Sequence, residues 1–269
     1  SAIWREDIKA ALKSGMHVAS GLHDKLAEDP EFVSLAADNN CELIDLRDTK
    51  DFKVIGKGVK RTGKRILTVG TDCAVGKMYT SLAIAREMKE TGLPVDFVAT
   101  GQTGVFIEES GICIDAVVAD FMAGAVEQIT PDVPPEHWQI VEGQGSLFNP
   151  SFAGVSMALL HGAQPDYLVL CHEAGREQMD LMEGYPVPPL EEIIATNLQL
   201  GALTNPNIRL GGIALNTSAL SEEDALAEIA RCQAQFGVPV VDPVRTGVTA
   251  IVDALSPSTG RAASDVKEG

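Results

Sequence analysis

The chain has 269 residues, of which 45% are hydrophobic and 22% are charged, so it can bury a substantial core and is not expected to be disordered over most of its length. This length predicts one large domain, or one domain with a smaller piece attached. With 38 Asp and Glu against 21 Lys and Arg the net charge is −17, and no dense run of basic residues offsets it, which argues against nucleic acid or an anionic membrane as the main partner.

The first 59 residues have the pattern of a fragment of an α/β unit. Helical spacing covers residues 4–13, and short apolar runs at 16–19 and 41–46 predict two strands. Between them, Asp29 is a predicted N-cap, and Pro30 opens a helix that should end near Asn39 and Asn40. Because the chain starts at Ser1 without a Met, close to a predicted helix, we expect it to lack a native N-terminal segment.

A Gly- and Lys-rich stretch at 56–64 predicts a boundary between a segment of residues 1–59 and a domain of residues 60–269. Beyond it, apolar runs predict strands at 65–69, 94–99, 138–141, 167–171, 213–215 and 238–241. Helices are predicted at 76–90, 117–129, 152–160, 190–200 and 222–236, the last between an N-cap at Ser221 and a terminating Gly237. This alternation predicts an α/β fold with a doubly wound, mostly parallel sheet.

The loop after the first strand of this domain has the composition of a phosphate-binding loop. It joins a strand to a helix, and its glycines let successive backbone N–H groups point at an anion beside the positive end of the helix dipole. The predicted coenzyme-binding residues are Gly70, Thr71, Asp72, Cys73, Ala74, Val75, Gly76 and Lys77.

The residue after the loop lysine is unusual. Nucleotide-hydrolysing loops place Ser or Thr there to bind Mg²⁺, whereas this chain has Met78. A thioether is a poor ligand for a hard cation. The loop is therefore predicted to bind phosphate but to bind a metal ion only weakly. Phosphate groups that are held by backbone N–H groups and Lys77 need no metal.

Polar residues follow other predicted strands at the edge where ligands collect in such sheets. Glu142 follows strand 138–141 and is the predicted general base, or a Mg²⁺ ligand if the bound nucleotide is ATP. The turn 143–146 offers N–H groups for an oxyanion, and the turn 100–104 is expected to line the same crevice. From these turns we predict substrate contacts by Gln102, Gln144 and Ser146.

The segment after strand 167–171 offers a second candidate base. The unperturbed pKa of a histidine lies near operating pH, so His172 is an alternative to Glu142. Arg176 and Arg245 also follow strands, and their flat guanidinium groups suit carboxylate groups. We predict that these two arginines hold the substrate.

The cysteine pattern bears on the compartment. The five cysteines (Cys41, Cys73, Cys113, Cys171 and Cys232) are odd in number and form no C-x-x-C pair, so neither a disulfide framework nor a zinc site is predicted. No signal peptide and no apolar stretch of ~20 residues is visible. We expect a reduced, cytoplasmic protein. A position before a helix N-terminus is expected to lower the thiol pKa of Cys73.

The strand–loop–helix at 65–90 resembles dethiobiotin synthetase and its P-loop relatives, as do residues 141–145 and Leu215-Asn216. The resemblance implies that Asp72 and Glu142 hold Mg²⁺ and that Asn216 reads adenine in an ATP-dependent enzyme.

Nearly the whole chain more closely resembles the bacterial P-loop family of the D-glutamate N-acetyltransferase, which acts in D-glutamate breakdown. The matching segments are VASGLH at 18–23, GTDCAVGKM at 70–78, TGQTG at 100–104, DFMAGA at 120–125, EGQGS at 142–146 and HEAGR at 172–176. The resemblance implies acetyl-CoA as the donor, an acidic amino acid as the acceptor, and a Rossmann-like N-terminal domain of which residues 1–59 are a part.

Three hypotheses about function remain open from the sequence. The first is an N-acetyltransferase that uses acetyl-CoA, the second an ATP- and Mg²⁺-dependent ligase or kinase, and the third a nucleotide-binding regulatory protein without turnover. All three predict a small-molecule ligand, and we expect the chain to form a homo-oligomer.

Overall fold

The computed structural model describes residues 3–256, so residues 1–2 and 257–269 of the two predicted domains lie outside it. The N-terminal part contains helix α1 (Ile3–Lys13), strand β1 (Val18–Ser20), helix α2 (Pro30–Asp38) and strand β2 (Leu43–Asp45). The two strands pair in parallel. The Asp29 side chain accepts a hydrogen bond from the backbone N–H of Glu31, which confirms the predicted N-cap.

The larger part is a six-stranded parallel sheet with the strand order β4-β5-β3-β6-β7-β8. Its strands are β3 (Lys64–Gly70), β4 (Val95–Val98), β5 (Trp138–Val141), β6 (Tyr167–Glu173), β7 (Arg209–Asn216) and β8 (Val240–Val241). Its helices are α3 (Lys77–Glu90), α4 (Gln102–Glu108), α5 (Met122–Ile129), α6 (Ala153–Ala163), α7 (Leu190–Gly201), α8 (Glu222–Phe236) and α9 (Thr249–Leu255). The fold is the doubly wound P-loop architecture that the sequence predicts.

Both faces of this sheet are covered by helices, because successive strand side chains point to opposite sides. Ile66 of β3 packs in a cluster with side chains of α3 and α9, whereas the neighbouring Leu67 packs with side chains of α5 and α6. Side chains of α7 and α8 pack against β6 and β7. No helix within residues 3–256 is both long enough and apolar enough to cross a membrane.

The sequence prediction is wrong at three places. Residues 100–104 do not form a simple turn, because α4 starts at Gln102 with Gly104 inside it. The predicted helix at 117–129 begins late, with a 3₁₀ turn at Ala119–Phe121 before α5. No helix is predicted where α9 lies. Helices α4 and α5 are short and contain a glycine, and α9 has only seven residues, so local propensity is weak and tertiary packing decides them.

The two parts of the chain are joined by side-chain contacts. Arg47, just after β2, donates from Nε to the Gly21 carbonyl oxygen at 2.8 Å and from Nη2 to Gln102 Oε1 at 3.1 Å. It also forms a salt bridge with Asp115. A Cβ atom at Gly21 would lie 2.9 Å from the Gln102 side chain, so the segment after β1 packs directly on α4.

Candidate active site

The phosphate-binding loop connects the carboxyl end of β3 to the amino end of α3. Its tight curl needs positive φ at Ala74 (+55°) and at Gly76 (+99°), the residue that precedes the first turn of α3. The Thr71 N–H donates to the Cys171 carbonyl oxygen at 3.1 Å, which ties the start of the loop to β6. The loop therefore has the shape and the position that phosphate binding requires.

Lys77 is buried beneath this loop, with 6% of its surface exposed. Its Nζ donates to the Asp72 carbonyl oxygen at 2.7 Å. A Cβ at Gly70 would lie 2.7 Å from Nζ, so this glycine makes room for the lysine, whereas a Cβ at Gly143 would first overlap the Thr68 carbonyl group. Burial lowers the pKa of Lys77, and an anion in the crevice would restore the preference for the charged form.

The carboxylate of Asp72 is fully buried and already has partners on both oxygens. It accepts from Asn149 Nδ2 at 3.1 Å on Oδ1, and from Arg176 Nη1 at 3.0 Å and the Asp180 N–H on Oδ2. Burial opposes ionisation of Asp72, but these donors outweigh it and lower its pKa below the ordinary value. Asp72 thus fastens the segment after β6 to the phosphate-binding loop.

Glu142 follows β5 and is buried against the amino end of α4. Its Oε2 accepts from the backbone N–H of Thr100 at 2.9 Å and of Gly101 at 3.1 Å. A Cβ at Gly104 would overlap this carboxylate, which explains the glycine inside α4. Burial raises the pKa of Glu142, and the hydrogen bonds from Thr100, Gly101 and Gln144 only partly offset it. A raised pKa makes the Glu142 carboxylate a stronger base than an exposed one, which is the property a proton acceptor needs.

The turn after Glu142 is more constrained than the sequence suggests. The Gly143 N–H donates to Thr68 Oγ1 at 2.9 Å, so it is not free to stabilise an oxyanion. Ser146 Oγ donates to the Thr71 carbonyl oxygen at 3.0 Å and the side chain is buried. The hydroxyl proton of Ser146 is therefore used within the protein, whereas Gln144 lines the crevice beside Glu142.

His172 lies within β6, one residue before its end. Its Nδ1 is 3.0 Å from Thr71 Oγ1, so the ring contacts the start of the phosphate-binding loop. Burial lowers the pKa of His172, although the charge of Glu228 opposes this. Burial therefore favours the neutral form of the ring.

The two predicted substrate arginines do not meet in one place. Arg176 pairs with Asp72 and Glu173 and donates to the Cys73 carbonyl oxygen at 2.8 Å. Arg245 instead lines a different cavity together with Asn216. Burial raises the pKa of the Cys73 thiol, contrary to the expectation from its place before a helix.

Two cavities open on the phosphate-binding loop and share Gly76 and Tyr79. The smaller, the Glu142 crevice, has a volume of about 340 Å³ and is lined by loop residues 73, 74 and 76–78, by Tyr79 and by residues 142–145. The larger, the Asn216 cavity, has about 500 Å³ and lies between α3 and the ends of β7 and β8. A ligand with phosphates on the loop can therefore extend in both directions.

Sequence reasoning missed two residues of this site. Tyr79, half exposed, borders both cavities, and its only sequence signal is its place two residues after the loop lysine. Asn149, fully buried, holds the Asp72 carboxylate. It precedes Pro150, and an Asn-Pro pair marks a turn without indicating a distant partner.

Comparison with known proteins relates the chain to one family. Residues 54–252 match the model described as a domain of unknown function, the DUF1611 P-loop domain, and residues 1–49 match the DUF1611 N-terminal Rossmann-like domain. A crystal structure of a DUF1611 family protein from Anabaena variabilis is 36% identical, with a TM-score of 0.90, and the match covers 96% of this chain and 76% of that one.

Two curated relatives are named D-glutamate N-acetyltransferase. The protein from a Pseudoalteromonas species is 50% identical over 93% of this chain and 75% of its own length. The protein from Tritonibacter scottomollicae is 47% identical over 94% of this chain and 76% of its own length.

Proposed function

Because the chain belongs to the DUF1611 family, we propose that it is an N-acetyltransferase that transfers acetyl from acetyl-CoA to the amine of D-glutamate. The observation that carries this proposal is the high identity, over nearly the whole chain, to relatives named for that activity. In this proposal the chain is an acyltransferase enzyme, and it works in D-glutamate breakdown in the cytoplasm.

The shape of the site supports a coenzyme A donor. The pyrophosphate would lie on the N–H groups of the loop next to Lys77, and the adenosine would fill the Asn216 cavity. The pantetheine arm would then point toward Glu142. Such an arrangement uses both cavities and the Tyr79 ring between them, and it needs no metal ion at the phosphates.

The residues of the Glu142 crevice can perform the acetyl transfer. At neutral pH the acceptor presents an ammonium group, which must lose a proton before it is nucleophilic. The Glu142 carboxylate takes that proton, with His172 as the alternative base. The amine nitrogen then forms a bond to the thioester carbonyl carbon, and the carbon–sulfur bond breaks. The second proton that the nitrogen loses goes to the departing sulfur, which leaves as the free thiol. Of the N–H groups predicted to hold the oxyanion, that of Gly143 is already used.

The surroundings of Asp72 favour acetyl transfer over an ATP-dependent ligase reaction. In the ligase alternative Asp72 and Glu142 bind Mg²⁺, yet both oxygens of Asp72 are occupied by protein donors. Met78 also replaces the hydroxyl that would complete the metal site. A magnesium site would require Arg176 and Asn149 to release this carboxylate.

The test is an assay of the purified chain with acetyl-CoA and D-glutamate. We expect release of one free thiol for each acetylated amino acid, measured with a thiol reagent and by mass spectrometry of the product. L-Glutamate and buffer without acceptor are the controls. Absence of product with D-glutamate, together with ATP-dependent turnover in the same preparation, would overturn the proposal in favour of the ligase alternative.

A further inference from the structure

The Asn216 cavity contains a positive charge that the proposed acetyl transfer does not use. Arg245, in the loop after β8, is the only Lys or Arg among the described residues that line this cavity. Its Nη2 donates to the Leu220 carbonyl oxygen at 2.9 Å and lies 3.4 Å from the Thr217 carbonyl oxygen. Within residues 3–256 its Nη1 makes no hydrogen bond to the protein, so donors remain for a ligand.

The nearby acid, Asp242, also lines the cavity and forms only a long ion pair with Arg245. Asp242 is buried, and its carboxylate accepts from Thr217 and from the backbone N–H groups of Val244 and Arg245. Its closest approach to the Arg245 guanidinium is 3.9 Å, at Nε. Burial opposes ionisation of Asp242, but these donors hold its pKa below the ordinary value, so the carboxylate is satisfied without the guanidinium.

The guanidinium is also held in a fixed direction before any ligand binds. Two backbone carbonyl groups orient Nη2, and about a third of the side chain, which lines the cavity, is exposed. A planar, preoriented guanidinium binds phosphate with paired hydrogen bonds and loses little side-chain freedom on binding. The arrangement is therefore suited to a phosphate group on the nucleoside side of the loop.

We infer that Arg245 binds the 3′-phosphate of coenzyme A and thereby selects this coenzyme over ATP. The inference rests on the proposed function, in which the adenosine occupies the Asn216 cavity. Coenzyme A carries a phosphate on its ribose at this position, whereas ATP has only a hydroxyl group there. Lys77 and the loop hold the pyrophosphate common to both, so they cannot distinguish the two. Arg245 then contacts the donor rather than the acceptor, and the acceptor contact is the role predicted from its position after a strand.

The experiment compares coenzyme A with 3′-dephospho-coenzyme A by calorimetry on the full chain. Wild type should bind coenzyme A about tenfold to a hundredfold more tightly, the effect of one charge-assisted contact. Arg245→Gln should lose this difference while its affinity for dephospho-coenzyme A stays unchanged, which also shows that the variant is folded. Arg245→Lys should recover part of the preference. Arg86→Gln, an exposed arginine on α3 paired with Glu90, is the matched control and should keep it.

Two results would overturn the inference in different ways. Equal binding of both coenzymes by wild type, or an undiminished preference of Arg245→Gln for coenzyme A, would show that Arg245 does not bind the 3′-phosphate. Neither result would contradict the proposed function. Binding of ATP without binding of either coenzyme would overturn the proposed function as well.

Discussion

Asp72 and Arg176 are 104 residues apart in the sequence, and Arg176 Nη1 donates to the Asp72 carboxylate at 3.0 Å. The acid belongs to the phosphate-binding loop, and the arginine belongs to the segment that follows β6. This contact joins two loops at the ligand edge of the sheet, and it takes up the carboxylate that a magnesium site would need.

Removal of the arginine from this pair should destabilise the protein. Arg176→Met leaves the buried Asp72 carboxylate without its cation, and we expect the free energy of unfolding to fall by about 2–5 kcal/mol. Urea denaturation measures this. The double variant Asp72→Asn/Arg176→Met should lose less than the single one, since no uncompensated charge remains. If the two are equally destabilised, the pairing of charges is not the cause.

Lys77→Ala should weaken binding of the donor. The lysine can make a charge-assisted phosphate contact of roughly 1.5–3 kcal/mol, so affinity for coenzyme A should fall about tenfold or more in calorimetry. Lys89→Ala, an exposed lysine in the last turn of α3, is the control and should bind normally. Unchanged affinity for both coenzyme A and ATP in Lys77→Ala would show that the loop is not part of the binding site.

Metal dependence should separate the donor hypotheses. We expect EDTA to leave both coenzyme binding and turnover intact. Met78→Thr introduces a hydroxyl at the position where nucleotide-hydrolysing loops bind Mg²⁺, and it should raise the affinity for ATP in the presence of magnesium. A strict magnesium requirement of the wild-type enzyme would instead support the ATP-dependent alternative.

The identity of the base can be tested by two matched variants. Glu142→Gln keeps the shape of the side chain and removes its basicity, so kcat should fall by about 10²- to 10⁴-fold while acetyl-CoA still binds. His172→Asn can keep a contact with Thr71 and should have a much smaller effect. The reverse pattern would make His172 the base. Loss of coenzyme binding in both variants would indicate that the two residues are structural.

The raised pKa of Glu142 should also appear in stability. Between the unfolded-state pKa, about 4.3, and the higher folded-state pKa, the folded protein keeps a proton that the unfolded chain has released. The free energy of unfolding contributed by this group should therefore fall as the pH rises through that window. Urea denaturation of wild type and Glu142→Gln should give a stability difference that shifts in favour of the variant with rising pH. A difference independent of pH would contradict a raised pKa.

The same measurement on Asp72→Asn should show the opposite sign. The pKa of Asp72 is lowered in the folded protein. Its stabilising contribution is therefore present above the unfolded-state value of about 3.9 and is lost as the pH falls through the folded-state pKa.

The sequence predicts the larger part of the fold well, because its signals are local. Apolar runs such as 138–141 mark strands covered on both faces, and Ser221 and Gly237 mark the ends of α8 by their own chemistry. The phosphate-binding loop is likewise defined within eight consecutive residues, Gly70 to Lys77. The signals that define these elements therefore lie within short segments of the sequence.

The detailed site could not be predicted, since its contacts join distant segments. Nothing near Ser146 indicates that its hydroxyl donates to Thr71, 75 residues away. A Gly-rich turn likewise gives no sign that the Gly143 N–H donates to Thr68. Arg245 and Arg176 have the same local signal, a position after a strand, yet they lie in different surroundings because the strand order separates β6 from β8.

The contact of Arg47 with Gln102 and Asp115 has a consequence for cooperativity. The N-terminal part has a small apolar core of its own, built around Leu12, Leu26, Phe32 and Ala36, and so small a core gives little independent stability. If this part opened alone, Gln102 at the start of α4 would lose its partner, next to the two N–H groups that hold Glu142. The two parts should therefore unfold in a single transition. A local opening around Arg47 would disturb the first turn of α4 and, through it, the Glu142 carboxylate.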